Sequence, residues 1–372
     1  VTDCIFMTGS TGYLGSYVCA ELLQDPDIRL VVLVRGADDR ARIAKLWKAW
    51  QLHLDFDQFV EHMQRVRVVA GDLHAPGLGL SDEDRSWVDD CDSILHIAAT
   101  LNRKSSKSCF NTNLRGSLSL LKVAREIQDR KGLDRFGFVS TAAIAGHRQS
   151  EDLTEEQALD WDRSDYDPYA RTKKFCEHMV TELLPDVRTT IYRPSIVMGD
   201  ANRPETSQFD MIFATCMLAD LPALPLDPHG RVDIVNADWV GRAIATLHKL
   251  DDPEPVYHLS AGRDSVSVKD ITDALDAHRG TRTRFAPRLE WAWNRAYRAA
   301  NRMPRGWTAR GIGSLWKVFW PYVTYDTVFL NDRAVRDVGV SPVPFTDYFP
   351  PLYDWVKAHE YRYPHLPLPE DA

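Results

Sequence analysis

At 372 residues the chain exceeds what one small core organises, and 44% hydrophobic against 26% charged residues is a globular rather than a disordered balance. A net charge of −8 argues against nucleic acid as a partner, and no apolar run is long enough to form a transmembrane segment. Six scattered cysteines, with neither CxxC spacing nor a Cys/His cluster that would hold a metal, read as reduced thiols of a cytoplasmic protein.

The opening VTDCIFMTG runs straight into a strand over 4–8 and a glycine turn, which reads as a chain without a leader and fits a free-standing enzyme. A helix over 15–24 follows, with Tyr17, Val18, Leu22 and Leu23 at its apolar positions, then a second strand over 30–34. Further strands are predicted at 66–70, 93–97, 137–140 and 189–192, with helices between them, as at 114–127 and 172–184. Strands separated by helices predict a parallel sheet covered on both faces, the Rossmann doubly wound α/β fold. Pro222, Pro225 and Pro228 then mark a loop-rich crossing, and 232–235 and 256–259 are predicted to return to the sheet. From Val268 the chain is helical and rich in Trp, Tyr and Arg. The organisation expected is a dinucleotide-binding domain over 1–200, with 231–260 returning to it, and a smaller, mostly helical substrate domain over 201–372.

Thr8-Gly9-Ser10-Thr11-Gly12-Tyr13-Leu14-Gly15 follows the first strand and opens the first helix. Glycine serves where the backbone turns tightly and must approach a pyrophosphate, and the free amides of the helix N-terminus face the phosphates. The alternative, a plain strand-to-helix turn, lacks a reason for three glycines in this context. Thr8, Gly9, Thr11, Gly12, Tyr13, Leu14 and Gly15 are thus candidate dinucleotide contacts. The second strand ends at Arg35, where a carboxylate would accept from a ribose 2′-hydroxyl and an arginine suits a 2′-phosphate. Arg42 and Lys45 on the next helix add charge, so NADPH is expected, while Asp38 and Asp39 keep NADH as the alternative.

Tyr169 and Lys173, four apart at the start of a long helix, share one helix face. A phenol with an ordinary pKa of ~10 is a poor acid–base at neutral pH, and an adjacent ammonium favours its phenolate. Upstream, Phe138-Val139-Ser140-Thr141 is a strand ending in hydroxyl residues. Tyr166 competes with Tyr169 but has Ala170 rather than lysine four residues on.

The G-x-x-G-x-x-G spacing, the hydroxyl-ended strand and Tyr-x-x-x-Lys, in that order, resemble the extended short-chain dehydrogenase/reductases. The resemblance implies Thr141 as the catalytic hydroxyl, with Ser140 the alternative, and Asn113 in Asn-Leu-Arg-Gly as holder of a proton-relay water near Lys173. It also implies that Asp72 and Leu73 contact adenine. The stretches around Val68–Ser81, Leu95-His96-Ile97-Ala98-Ala99-Thr100-Leu101-Asn102 and Ile191-Tyr192-Arg193-Pro194-Ser195 resemble the thioester-reductase branch. That branch contains fatty acyl-CoA reductases and the reductase domains of carboxylic acid reductases and nonribosomal peptide synthetases. Ala98, Ala99, Pro194 and Ser195 are the further cofactor contacts it implies. Its reaction is hydride transfer from NADPH to an acyl thioester, giving aldehyde or alcohol, with Tyr169 as proton donor and no cysteine nucleophile; Cys109 then serves packing. Two departures concern the substrate: Lys174 stands where the branch has tryptophan, with Phe175 one place beyond, and 202–209 is individual. The competing readings are a dehydrogenase/reductase of this family acting on a ketone, a hydroxysteroid-like alcohol or a nucleotide sugar, and a dinucleotide-sensing module without chemistry.

Between 281 and 310 lie eight arginines (Arg282, Arg284, Arg288, Arg295, Arg298, Arg302, Arg305 and Arg310) against one acid, Glu290, with Trp291, Trp293, Tyr297 and Trp307 interleaved. In an acidic chain this concentration suits an acyl carrier protein, the phosphates of coenzyme A or an anionic membrane surface. Single-stranded nucleic acid also suits such alternation, but not the dehydrogenase motifs. The competing reading is a solvated helix whose aromatics belong to the core.

Overall fold

A computed structural model describes residues 3–303 and 308–370. Seven strands form one sheet: β1 (Asp3–Thr8), β2 (Ile28–Val34), β3 (Val66–Ala70), β4 (Ser93–His96), β5 (Arg135–Val139), β6 (Thr189–Pro194) and β7 (Val256–Leu259). Their order is β3-β2-β1-β4-β5-β6-β7 and every pair is parallel. The chain order reverses between β1 and β4, and at such a switch point the carboxyl ends of the strands leave a crevice. Six of the seven residues of β2 are buried, as an unbroken apolar run covered on both faces requires.

One face carries α1 (Tyr13–Leu22), α2 (Asp39–Trp50) and, later in the chain, Ala237–Lys249, whose Val18, Leu22, Trp47, Val240 and Ile244 share a core with the strands. The other face carries α3 (Gly116–Lys131) and α4 (Pro168–Leu183), contributing Leu120, Ala124, Ile127 and Val180. A third core holds the C-terminal part. In it, α5 (Asp210–Ala219), α6 (Thr308–Thr324) and α7 (Phe345–Ala358) bury Met211, Ile212, Trp316, Phe319 and Phe349.

The segment 232–235 does not rejoin the main sheet. It splits into Arg231–Val232, antiparallel to Val266–Ser267, and Ile234–Val235, parallel to Ile196–Val197. Asp233 between them is fully buried and accepts from the amides of Ala261 (2.8 Å) and Phe329 (3.2 Å). A carboxylate tied to two backbone amides interrupts the ladder, so only Val256–Leu259 returns. Ahead of α3 the helix widens to a π-turn over Phe110–Arg115, which carries Asn113. Among the described residues no helix is long and apolar enough to cross a membrane.

Candidate functional site

A cavity of about 870 Å³ opens at the carboxyl ends of β1, β4 and β5 and runs from Arg35 to Tyr322. Its floor is the turn between β1 and α1. Gly9 has φ +88°, and a Cβ there would stand 2.6 Å from the Ala98 nitrogen. A Cβ on Gly15 would stand 2.0 Å from the Gly9 carbonyl oxygen, so backbone meets backbone at both positions. Gly12 caps α1 without a side chain, leaving first-turn amides for an anionic ligand. Thr8, Thr11, Tyr13 and Leu14 also line the cavity. Thr8 doubles as scaffold: its hydroxyl meets His96 Nδ1 at 2.6 Å, and His96 Nε2 meets the Ser117 hydroxyl at 2.9 Å.

At one end Arg35, Asp72 and Leu73 line the cavity. Arg42 and Lys45 do not. Lys45 Nζ donates to the Arg35 carbonyl (2.6 Å), while Arg42 donates to the Gly36 carbonyl (3.1 Å) and pairs with Asp39. Both cations brace the turn beneath Arg35, because the carbonyls at the end of β2 lie within reach of α2. Asp38 caps α2 through the Ala41 amide (2.7 Å), so both acids of this turn are engaged within it.

Further along lie Ala98, Ala99, Ser140, Thr141, Tyr169, Lys173, Pro194 and Ser195. Pro168 and the Asp167 cap start α4, and Asp167 accepts from the Ala170 amide at 2.8 Å. The start of α4 puts Tyr169 and Lys173 on the face turned into the sheet, 6% and 2% exposed. Burial pushes the Tyr169 phenol up to about 12; the Arg103 guanidinium pulls it down, Asp167 raises it, and the nearby Thr141 hydroxyl lowers it. Burial lowers Lys173 to about 8. Its ammonium donates to the Val139 carbonyl (2.6 Å) and lies 4.5 Å from the centre of the Phe138 ring. Thr141 accepts from the Ala143 amide at 3.2 Å.

Asn113 stands behind this row rather than in it. Its side chain accepts from the Thr100 amide (2.8 Å) and donates to the Thr100 carbonyl and the Thr172 hydroxyl, both at 3.2 Å. It thereby ties the loop after β4 to α4. Tyr166 is packed against Tyr322 and Tyr325 and lies outside the cavity lining. Cys109 is buried with its thiol on the Asn102 carbonyl at 3.3 Å. Lys174 is spent on Asp165 (3.1 Å) and the Asp160 carbonyl (3.0 Å), while Phe175 packs on Trp161 at the surface. Of 202–209, Gln208 reaches the cavity.

The cavity also contains residues that the motifs did not single out. Phe319 and Tyr322 of α6 and Met211 of α5 wall it opposite the sheet, and Arg103 reaches Tyr169. The one sequence signal for Arg103 is its place directly after the Leu101-Asn102 pair. In the arginine-rich segment, Arg282, Arg284, Arg288, Arg295, Arg298 and Arg302 are all exposed, and none pairs with an acid among the described residues. Trp291 is 66% exposed, whereas Trp293 packs between Trp316 and Trp320. Arg305 and Trp307, and the side chains of Tyr297 and Arg310, lie outside the described residues.

The chain resembles known proteins over this same region. Among curated proteins, the fatty acyl-CoA reductase wat of Drosophila melanogaster is 24% identical over 57% of this chain and 46% of its own length. The chain spans about half the length of that relative. Among solved structures, the terminal R domain of the myxalamid PKS-NRPS pathway superimposes with a TM-score of 0.81, covering 97% of this chain and 92% of that one at 19% identity. A thiolation-reductase di-domain from an archaeal non-ribosomal peptide synthetase gives 0.74, covering 97% and 76% at 18% identity. At these identities the two superpositions speak to the fold. The family model NAD_binding_4, described as Male sterility protein, matches residues 7–244, from β1 into the helix that packs on α1, and the chain therefore belongs to that family.

Proposed function

We propose that this chain is an NADPH-dependent oxidoreductase that reduces acyl thioesters, bound to an acyl carrier protein or to coenzyme A, to an aldehyde or alcohol. The observation that carries the reading is one cavity joining a glycine turn, closed to a Cβ at Gly9 and Gly15, to Thr141, Tyr169 and Lys173. NADPH, when bound, supplies the hydride to the carbonyl carbon. The bare first-turn amides of α1 fit its pyrophosphate, and Arg35 fits the 2′-phosphate. The engagement of Asp38 and Asp39 within their own turn supports NADPH over NADH. Thr141 and Tyr169 hold the substrate carbonyl oxygen, and Tyr169 delivers a proton as negative charge grows there. Lys173 favours the phenolate left behind. Asn113 positions the loop bearing Thr100 against α4.

The names of the similar proteins support the thioester class over ketones and nucleotide sugars, and the intact Tyr169 and Lys173 weigh against a module without chemistry. We assign the exposed arginines to docking of an acidic carrier, and we place the protein in the cytoplasm on its six free thiols. The deciding experiment follows NADPH and NADH oxidation with acyl-CoA, acyl-carrier thioesters and ketones. Thioester-dependent oxidation that favours NADPH is expected; turnover of ketones alone, or equal use of both cofactors, overturns the corresponding part of the reading.

A further inference from the structure

Arg103 is held in an unusual way. Its guanidinium carbon lies 4.8 Å from the ring centre of Tyr322, 5.3 Å from that of Tyr169 and 5.6 Å from that of Phe319. Two of these rings belong to α6 and one to α4, so the side chain is clamped where the two domains meet. Clamping on aromatic faces fixes the fork and removes rotamer freedom before any ligand arrives. Yet among the described residues no acceptor is hydrogen-bonded to its two terminal nitrogens. Nε is buried and forms an ion pair with Asp167 at 3.4 Å, outside hydrogen-bonding geometry. Asp167 is already committed to the Ala170 amide and to the Tyr322 hydroxyl at 2.9 Å. Asp210 lines the same cavity but is an exposed side chain.

Arg103 lines the cavity, and terminal N–H groups that meet no protein acceptor there are free to receive one from a ligand. The planar fork with terminal N–H donors matches a carboxylate better than any other common acceptor. Because Arg103 touches the ring of Tyr169, the acceptor it meets lies within a few carbons of the carbonyl being reduced.

We propose that Arg103 is a specificity-determining residue that selects acyl groups bearing a carboxylate a few carbons from the thioester carbonyl. This rests on the thioester reading above. Tyr169 supplies the proton, and Arg103 fixes the far end of a short dicarboxylic acyl chain.

The test uses non-reducible thioethers, S-(3-carboxypropyl)pantetheine, its homologue one carbon longer, and the methyl ester of each, titrated calorimetrically into NADP⁺-loaded protein. A charge-assisted pair predicts that one of the acids binds at least about tenfold tighter than its ester. Arg103→Gln brings that ratio close to one, and Arg103→Lys, which keeps the charge, retains part of it. An acid-to-ester ratio near one in the wild type, or an unchanged ratio in Arg103→Gln, overturns the proposal and leaves Arg103 a clamp between domains. Should Arg103→Gln fail to fold, the wild-type ratio and Arg103→Lys still decide. The matching thioesters, assayed with NADPH, separate the two claims: no turnover of any thioester defeats the thioester reading, whereas turnover without preference for the acid defeats only the role of Arg103.

Discussion

Replacing Lys173 by methionine should abolish turnover and at the same time stabilise the unliganded protein at neutral pH. Lys173 is 2% exposed, and burial lowers it from 10.5 to about 8. A lysine whose folded pKa lies below its unfolded value binds its proton more weakly in the folded state. Near pH 7 both states are protonated, and the folded state carries the whole penalty, on the order of 3 kcal/mol at ~1.4 kcal/mol per unit. Methionine removes that penalty but also the hydrogen bond to the Val139 carbonyl, a loss of about 1 kcal/mol. The net gain is about 2 kcal/mol. As pH rises from about 8 towards 10.5 the folded protein has released a proton that the unfolded chain still holds, so wild-type stability climbs and the advantage of the variant fades. Near pH 9.5 the two should be about equally stable. Denaturant midpoints of both proteins without cofactor, measured at pH 7 and again at pH 9.5, give the comparison. A variant less stable at pH 7, or a difference that does not shrink with pH, refutes the argument that the site stores strain in a buried ammonium.

Tyr169→Phe should lower kcat by about 10²–10⁴-fold while NADPH titration of the variant stays unchanged, and near-normal turnover would remove Tyr169 as the proton donor. Gly15→Ala drives a methyl to 2.0 Å from the Gly9 carbonyl oxygen, so dinucleotide binding should weaken at least about tenfold in calorimetry; an unaltered Kd would mean the turn gives way. Arg193 and Glu177, 3% and 2% exposed, are joined at 2.7 Å between β6 and α4. Glu177→Ala leaves the guanidinium buried and should cost about 3–5 kcal/mol in denaturant unfolding, whereas a loss below about 1 kcal/mol would show that water reaches the pair. Reversing Arg282, Arg284 and Arg288 together to glutamate should weaken use of carrier-linked thioesters and spare small ones, and equal loss on both would count against carrier docking.

Features that depend on neighbours along the chain are legible in the amino-acid sequence. Gly9, Gly12 and Gly15 follow from the needs of a strand-to-helix turn, and Tyr169 and Lys173 from the four-residue spacing of one helix face. The apolar runs of β1 to β6 point to a parallel sheet for the same reason: burial on both faces removes alternation. Even the place of Arg35 directly after β2 is readable, because strand length and the next helix bracket it.

What the tertiary structure decided are the uses of groups with long reach or a choice of partners. Arg42 and Lys45 have the charge of cofactor cations, but the nearest acceptors for their flexible stems are carbonyls at the end of β2. Asp233 looks like part of a returning strand until Ala261 and Phe329, distant in sequence, take its carboxylate and break the ladder. Asn113 occupies a π-turn that faces Thr100, a register that helical periodicity does not encode. The wall formed by Phe319 and Tyr322, and the arrival of Arg103 against Tyr169, require α6 to fold back over the sheet from a distant part of the chain. The sequence alone thus determined a dinucleotide fold with a Tyr–Lys pair, since local spacing and backbone sterics suffice for those. Only the packed chain decided which side chains reach the cavity, because that depends on contacts between segments whose separation along the chain carries no periodic signal.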